Sequence, residues 1–431
     1  MSTRETLAPL VLAFAILGCS PSIDRVTRPH AIDSTGTGGG GNSGGGGGTI
    51  ARVGITVLVE FDQRDAALVA ALGGQKIAAG AIVSIRRDGD ANPVEVQLDS
   101  AGRYEFRELL AGSYTISISR VLTATERAAA ATVAADVDAF VGDMRVDAFS
   151  GSRTVALPTS FGRRGSLVVS EVYSGNPYDA STGTYYENGH YIELFNNSDS
   201  TIFLDKLTIG LGFARSHDHA NFPCSLYEPL AADTLGLWTG FFWRIPGTGR
   251  EFPLAPGQSS LLASDAIDHS AFNRLAPDLR SARFEFAGSN DPDNPAIPNI
   301  IQFGPRSISR SGFRIFTLVA PIIVARNLEL GDLVQRPQPG SEQVTLARIP
   351  ADAVIDVMVR KVIFDANVPE CVGPPVAERF DRRPAPFAQL TGSTSLHRKV
   401  IYIRNGRAVL QRTGSSFADF RESLRTPGTV P

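Results

Sequence analysis

The residues best equipped for chemistry fall into three small groups. His217-Asp218-His219, with Cys224 five residues further on, carries two imidazoles at a spacing that puts both on one face of a strand, with a thiol nearby. These are zinc-ligand types, but a zinc centre wants three or four ligands held by neighbours that fix their orientation. ARSHDHANFPC reads instead as a solvated loop, and no metal is expected there. Asp291, Asp293 and Asn294 offer the hard oxygens that calcium prefers. Two prolines interrupt their spacing and no Gly-x5-Glu follows, so the segment reads as a rigid proline turn. Glu171 and Glu193 stand on strands expected to be neighbours, which would make them a carboxylate pair of the type used for acid and base work. Nothing in the sequence positions a scissile bond between them, and capping turns or pairing with arginines is the expected role. No cofactor is expected. The rival reading is an exported hydrolase with a metal-assisted site around His217, His219 and the acidic residues.

Two further groups suit binding rather than catalysis. LWTGFFWRIPG places Trp238, Phe241, Phe242 and Trp243 within six residues, and a loop rich in tyrosine supplies Tyr178, Tyr185, Tyr186 and Tyr191. Aromatics at such density either fill a core or make a platform for a sugar ring or a peptide. The expected ligand-facing set is Tyr185, Tyr186, Tyr191, Trp238, Phe241, Phe242 and Trp243. The last sixty residues are basic, with Arg382, Arg383, His397, Arg398, Lys399, Arg404, Arg407 and Arg412. They would suit an anionic partner, but alternating strands more often carry such charges on the wet face of a sheet. The formal net charge of the chain is -3, which gives no bulk attraction to nucleic acid.

Positioning elements begin with an address. Arg4, an apolar stretch from Leu7 to Leu17 and then Gly18 form an export signal over residues 1–18, too short to span a bilayer. Ile16-Leu17-Gly18-Cys19 resembles the lipobox of bacterial lipoproteins, which implies that Cys19 is acylated and becomes the mature N-terminus. With Ser20 following it, the resemblance implies the outer membrane. Residues 19–49 form a tether, with ten glycines between Gly36 and Gly48. No composition of that kind repays the cost of ordering a backbone. Its typical reach is roughly 30 Å. G-x-G-x-x-G and G-x-S-x-G both occur within it, without the strand and helix either motif needs. In an oxidising compartment Cys224 and Cys371 are candidates for a disulfide, which sequence leaves open.

The 382 residues from 50 onward read as all-β, in two β-sandwich modules. RVGITVLVEF, GAIVSIRRDG and NPVEVQLDSAG read as strands, and Tyr114, Ile116 and Ile118 form an alternating face after Gly112. TATERAAAA carries a capping-box spacing from Thr123 to Glu126 and reads as a short helix. The spacing Gly102-x-Tyr104-x-Phe106-x-x-Leu109-x-x-Gly112-x-Tyr114-x-Ile116 resembles carboxypeptidase regulatory-like domains. This implies a prealbumin-like spacer or protein-binding module over residues 50–158. In the second module, SLVVSEVY is a strand, and YIELF is expected to turn through NNSDS into an antiparallel partner, TIFLDKLTI. Together with FPLAPGQSSLLAS, these segments resemble the lamin-tail-like sandwich, with immunoglobulin-like layers and long loops. SNDPDNPAIPN and SLHRKVIYIRNGRAVLQRTGSSFADF extend the resemblance to a family of uncharacterised envelope lipoprotein domains, over residues 165–425. QRTGSS departs from the acidic turn expected there. The expected role is a non-catalytic, lipid-anchored binding or adaptor component whose aromatic residues suit a glycan or peptide, and the association of relatives with outer-membrane uptake implies an accessory to a transport receptor. A purely structural envelope spacer is the third possibility.

Overall fold

Alternation in RVGITVLVEF does what a half-buried strand requires: Val53, Ile55, Val57 and Val59 are buried at every second position. The computed structural model describes residues 52–90, 92–148, 151–180, 183–186, 188–212, 224–287, 294–305, 315, 321–362, 375–387 and 392–431. Its first seven strands are β1 (Arg52–Phe61), β2 (Ile82–Arg87), β3 (Val94–Gln97), β4 (Arg103–Leu110), β5 (Gly112–Val121), β6 (Val137–Ala148) and β7 (Arg153–Arg163). They pair in the order β3-β2-β5-β6-β7-β1-β4. Every pairing is antiparallel except β1 with β7, which run parallel.

Because β7 pairs with β6 on one side and β1 on the other, the sheet folds over a single core. Ile55, Val83, Ile116, Ile118, Phe140 and Leu157 fill it. Phe61, Phe140 and Phe161 close one end with ring centroids 5.4–6.2 Å apart. The helix Ala124–Ala131 begins where the sequence places it. Thr123 accepts from the Glu126 amide, the Glu126 carboxylate accepts from the Thr123 amide, and Arg120 pairs with Glu126 at 2.8 Å. A further short helix, Ala66–Ala71, lies between β1 and β2.

Leu167–Tyr173 (β8) and Tyr191–Asn196 pair antiparallel, and every residue of both is buried. That is the pattern of strands covered on both faces. They lie in a thirteen-stranded sheet whose main path runs Val354–Met358, Ile322–Ala325, Thr208–Gly212, Gly236–Arg244, Asn299–Gln302, Phe284–Phe286, Ser259–Ala263, Tyr191–Asn196, β8, Thr394–Arg398, Phe420–Leu424. Leu167, Ile192, Leu194, Trp243, Phe284 and Val324 belong to its main core. Asn405-Gly406, both at positive φ, makes the two-residue turn of the hairpin between Val400–Arg404 and Arg407–Leu410. The described fold is all-β with few short helices.

One strand expectation fails. TIFLDKLTI is not a partner of YIELF. It splits into Ile202–Phe203, which pairs with Pro253–Leu254, and Thr208–Gly212, which joins Gly236–Arg244. The break falls at Asp205, whose carboxylate accepts from the amides of Gly249, Glu251 and Phe252 at 2.8–2.9 Å. Tyr191–Asn196 pairs instead with Ser259–Ala263 and β8.

Candidate functional site

Several expected residues lie outside the described segments: the 1–18 signal, Cys19 and its tether, His217, His219, Asp291, Asp293 and Cys371. Cys224 opens the helix Cys224–Ala231. Among the described residues no group of three or more His, Cys, Asp or Glu is placed to hold a metal ion, and no helix is long and apolar enough to cross a membrane.

Glu171 and Glu193 are direct cross-strand neighbours on β8 and Tyr191–Asn196, with 2% and 1% of their surface exposed. Glu171 accepts from the Tyr191 hydroxyl, from Ser395 Oγ at 2.6 Å, and from both the amide and the hydroxyl of Thr426 at 2.9 Å. His397 Nε2 stands 3.5 Å away. Burial, and then the charge of Glu171, push Glu193 up to about 8. The C-terminal residues therefore cover the pair and hydrogen-bond to it. A substrate bond has no approach to either oxygen set, and the pair ties the C-terminus to the centre of the sheet.

The expected aromatic set divides. Tyr191 and Phe242 are 0% exposed, Trp243 is 1% exposed, and Trp238 donates its ring N–H to Asp233 at 2.8 Å from a site that is 8% exposed. Phe241 is half-buried and stacks on Trp243 at 6.2 Å. These five are core residues and not a platform. Gly236–Arg244 has strands on both edges and apolar cover on both faces, so most of its side chains are buried and only Phe241 and Arg244 are partly exposed.

Tyr185 and Tyr186 lie elsewhere. Tyr185 is 66% exposed and its ring sits 5.1 Å from that of Tyr178, on a two-strand ribbon, Tyr178–Asp179 with Thr184–Tyr185. Tyr186 is partly buried and stacks on Phe272 at 6.3 Å with rings 9° apart. Its hydroxyl meets His269 Nδ1 at 2.7 Å, while His269 Nε2 meets the Asp265 carbonyl at 3.2 Å. A neutral ring that gives its Nε2 proton to Asp265 and accepts from Tyr186 satisfies both contacts. Burial favours that form by pushing His269 down. The loop is thereby fixed beside a cleft of about 450 Å³, lined by Tyr178, Ser270, Phe272, Asn273, Arg274 and Leu275. Phe272 is 62% exposed and Tyr178 50%. Sequence reasoning passed over Phe272, a lone aromatic in HSAFNRL without periodicity to mark it.

The basic C-terminus is not a wet sheet face. Arg398 is buried among Asp356 and Asp419; Lys399 pairs with Asp143; Arg404 and Arg407 converge on Asp199; Arg382 reaches Asp62 and Arg412 reaches Asp356. Most of this charge is spent joining segments of the fold. Arg383 lies over the Phe417 ring at 3.6 Å.

The class defined by this architecture is an all-β protein. Residues 255–427 match the model of the DUF4876 family, a protein family of unknown function. The chain is similar in structure to a DUF4876 family protein from Bacteroides thetaiotaomicron, at 17% identity and a TM-score of 0.47 over 88% of this chain and 96% of that one. A DUF3823 family protein from Parabacteroides merdae is a more distant match, at 9% identity and a TM-score of 0.17 over 73% of this chain and 100% of that one. No curated protein matches.

Proposed function

We propose that this chain is a lipid-anchored envelope protein whose folded part is a non-catalytic glycan-binding module serving an outer-membrane uptake receptor. The observation that carries the binding reading is the cleft lined by Tyr178 and Phe272, both at least half exposed, with the exposed Tyr185 ring packed 5.1 Å from that of Tyr178. Leaving such rings in water forgoes roughly 1.5–3 kcal/mol of burial apiece, and clustered exposure of that kind marks an interaction surface. Sugar rings offer apolar C–H faces that stack on aromatics, and their hydroxyls suit the exposed Arg274 and Ser270 along the wall. Tyrosine holds few rotatable bonds, and the Tyr186–His269 contact removes further freedom before a ligand arrives. The first sheet fits the spacer role that its carboxypeptidase-regulatory-like spacing implies.

Titration calorimetry against a panel of neutral α- and β-linked hexasaccharides is expected to find at least one ligand. Tyr185→Ala and Phe272→Ala should each weaken it tenfold or more, about 1.4 kcal/mol. Failure of the whole panel at millimolar concentration, or binding untouched by both substitutions, would remove the glycan reading. The anchor is tested separately. Cys19→Ala should shift the protein from the membrane to the soluble fraction, and the wild-type N-terminus should carry fatty acid by mass spectrometry. A variant that stays equally membrane-bound would contradict lipidation.

A further inference from the structure

A second concavity, of about 580 Å³, lies where the two sheets meet. The first sheet contributes Arg64 and Asp65 after β1 and Phe161 and Arg163 at the end of β7; the second contributes the 378–382 turn, Val354–Met358 and the QRTGSS turn. Five guanidinium groups line it: Arg64, Arg163, Arg379, Arg382 and Arg412. We propose that this cavity is a second ligand site, for a small polyanion whose phosphate or carboxylate oxyanions are gripped by arginines from both sheets.

Neighbouring acids pair with three of these arginines, Arg64, Arg382 and Arg412, and leave Arg163 and Arg379 with no ion pair among the described residues; Asp65, on the same wall, accepts from the Phe161 amide and is pushed up by burial. Asp356 is held by Arg398 and Arg412, and Asp419 by Arg398 and by the amide and hydroxyl of Thr413. Asp381 accepts from Ser416 and from the Arg383 amide. Burial pushes it up to about 8, so it adds little negative charge at neutral pH. On the open side, Arg64 and Arg382 share Asp62, and Arg64 also takes the exposed Glu378. Arg379 gives one hydrogen bond to the Thr234 carbonyl. Arg163 is exposed, and no hydrogen bond or ion pair of its guanidinium is found among the described residues. Planar guanidinium forks match phosphate and carboxylate oxygens two bonds at a time. The boundary between two layers is also where ligand clefts tend to form. The basic residues of the C-terminal sixty thus include three that face this site, Arg379, Arg382 and Arg412, and the last two also hold its frame together.

Occupancy would link the sheets, so it should raise the melting temperature of the full-length protein by mass action. The probes are inorganic pyrophosphate, citrate and trigalacturonate, each against sodium chloride of equal ionic strength. At ten times its dissociation constant, a true ligand should shift the melting temperature by about 2 °C and give saturable calorimetry. A response to pyrophosphate with none to citrate or trigalacturonate assigns phosphate chemistry; the reverse assigns carboxylates. Arg163→Ala and Arg379→Ala, which remove no ion pair described here, should each cut affinity tenfold or more while leaving the unliganded melting temperature within a degree. Arg274→Ala, in the aromatic cleft, should leave the response unchanged and so separates this site from the glycan reading. No shift beyond the chloride control for any probe, or a shift that survives the Arg163→Ala/Arg379→Ala double substitution, would overturn the proposal.

Discussion

Arg398→Met is expected to destabilise the folded chain by about 3–5 kcal/mol, a large share of the stability of an ordinary domain. The guanidinium has 1% of its side-chain surface exposed. It donates to the Val169 carbonyl at 2.7 Å and the Gln411 carbonyl at 3.0 Å, pairs with Asp356 at 2.5 Å and Asp419 at 3.3 Å, and lies 4.5 Å over the Phe420 ring. Four segments, at residues 169, 356, 411 and 419–420, therefore meet on one side chain. Methionine fills much of the volume but leaves two buried carboxylates short of their counter-charge, and that desolvation penalty is the dominant cost. Arg398→Lys keeps the charge but cannot reach four acceptors from one point, so it should also destabilise, by less. Arg421→Met, on the exposed side of the adjoining strand Phe420–Leu424, should stay within about 0.5 kcal/mol. Urea unfolding followed by tryptophan fluorescence measures all three. An Arg398→Met variant as stable as wild type would show that the network contributes nothing net.

That network also marks where sequence reasoning stops. Local patterns were legible: the alternation that buries Val53 to Val59, the Thr123–Glu126 box, and the neighbouring strands of Glu171 and Glu193. Each is decided by residues within a few positions, or by the period of a single strand. What was not legible depends on segments distant in the chain. TIFLDKLTI alternates well enough for a continuous strand, and only amides 44 to 47 residues downstream draw Asp205 out of it. Trp243 and Phe242 could have been a platform until strands from residues 208–212 and 299–302 closed both edges. Arg398, Arg404 and Arg407 look alike in RKVIYIRNGR, yet Arg398 meets a carboxylate 42 residues away in the interior while the other two meet Asp199 near the surface. Residue type states what a side chain can do; long-range pairing decides which of those things it does.

Stability is expected to fall as pH rises from 5 to 8, opposite to the trend set by most surface ion pairs. Glu193 and Asp381 are both pushed up to about 8, the first by burial and the charge of Glu171, the second by burial and the charge of Asp419. In the unfolded chain both ionise in the ordinary carboxylate range, near 4. Between those limits the native state holds two protons that the unfolded state has released, so unfolding is favoured with increasing pH. Their contribution is complete below about pH 4 and lost as pH passes 8. The slope reaches about 1.4 kcal/mol per pH unit for each group. Asp65 and Asp419 shift in the same direction, while His269, pushed down by burial, opposes the trend near its ordinary range. Asp62, held near 2 by Arg64, titrates below the window. Glu193→Gln and Asp381→Asn replace an acid that must stay protonated with an amide that cannot ionise, so each should flatten the profile by one proton and raise stability at pH 8. The measurement is urea unfolding at half-unit steps from pH 5 to 9. A profile that rises with pH in the wild type, or one that neither substitution flattens, would show that both carboxyls ionise freely inside the fold.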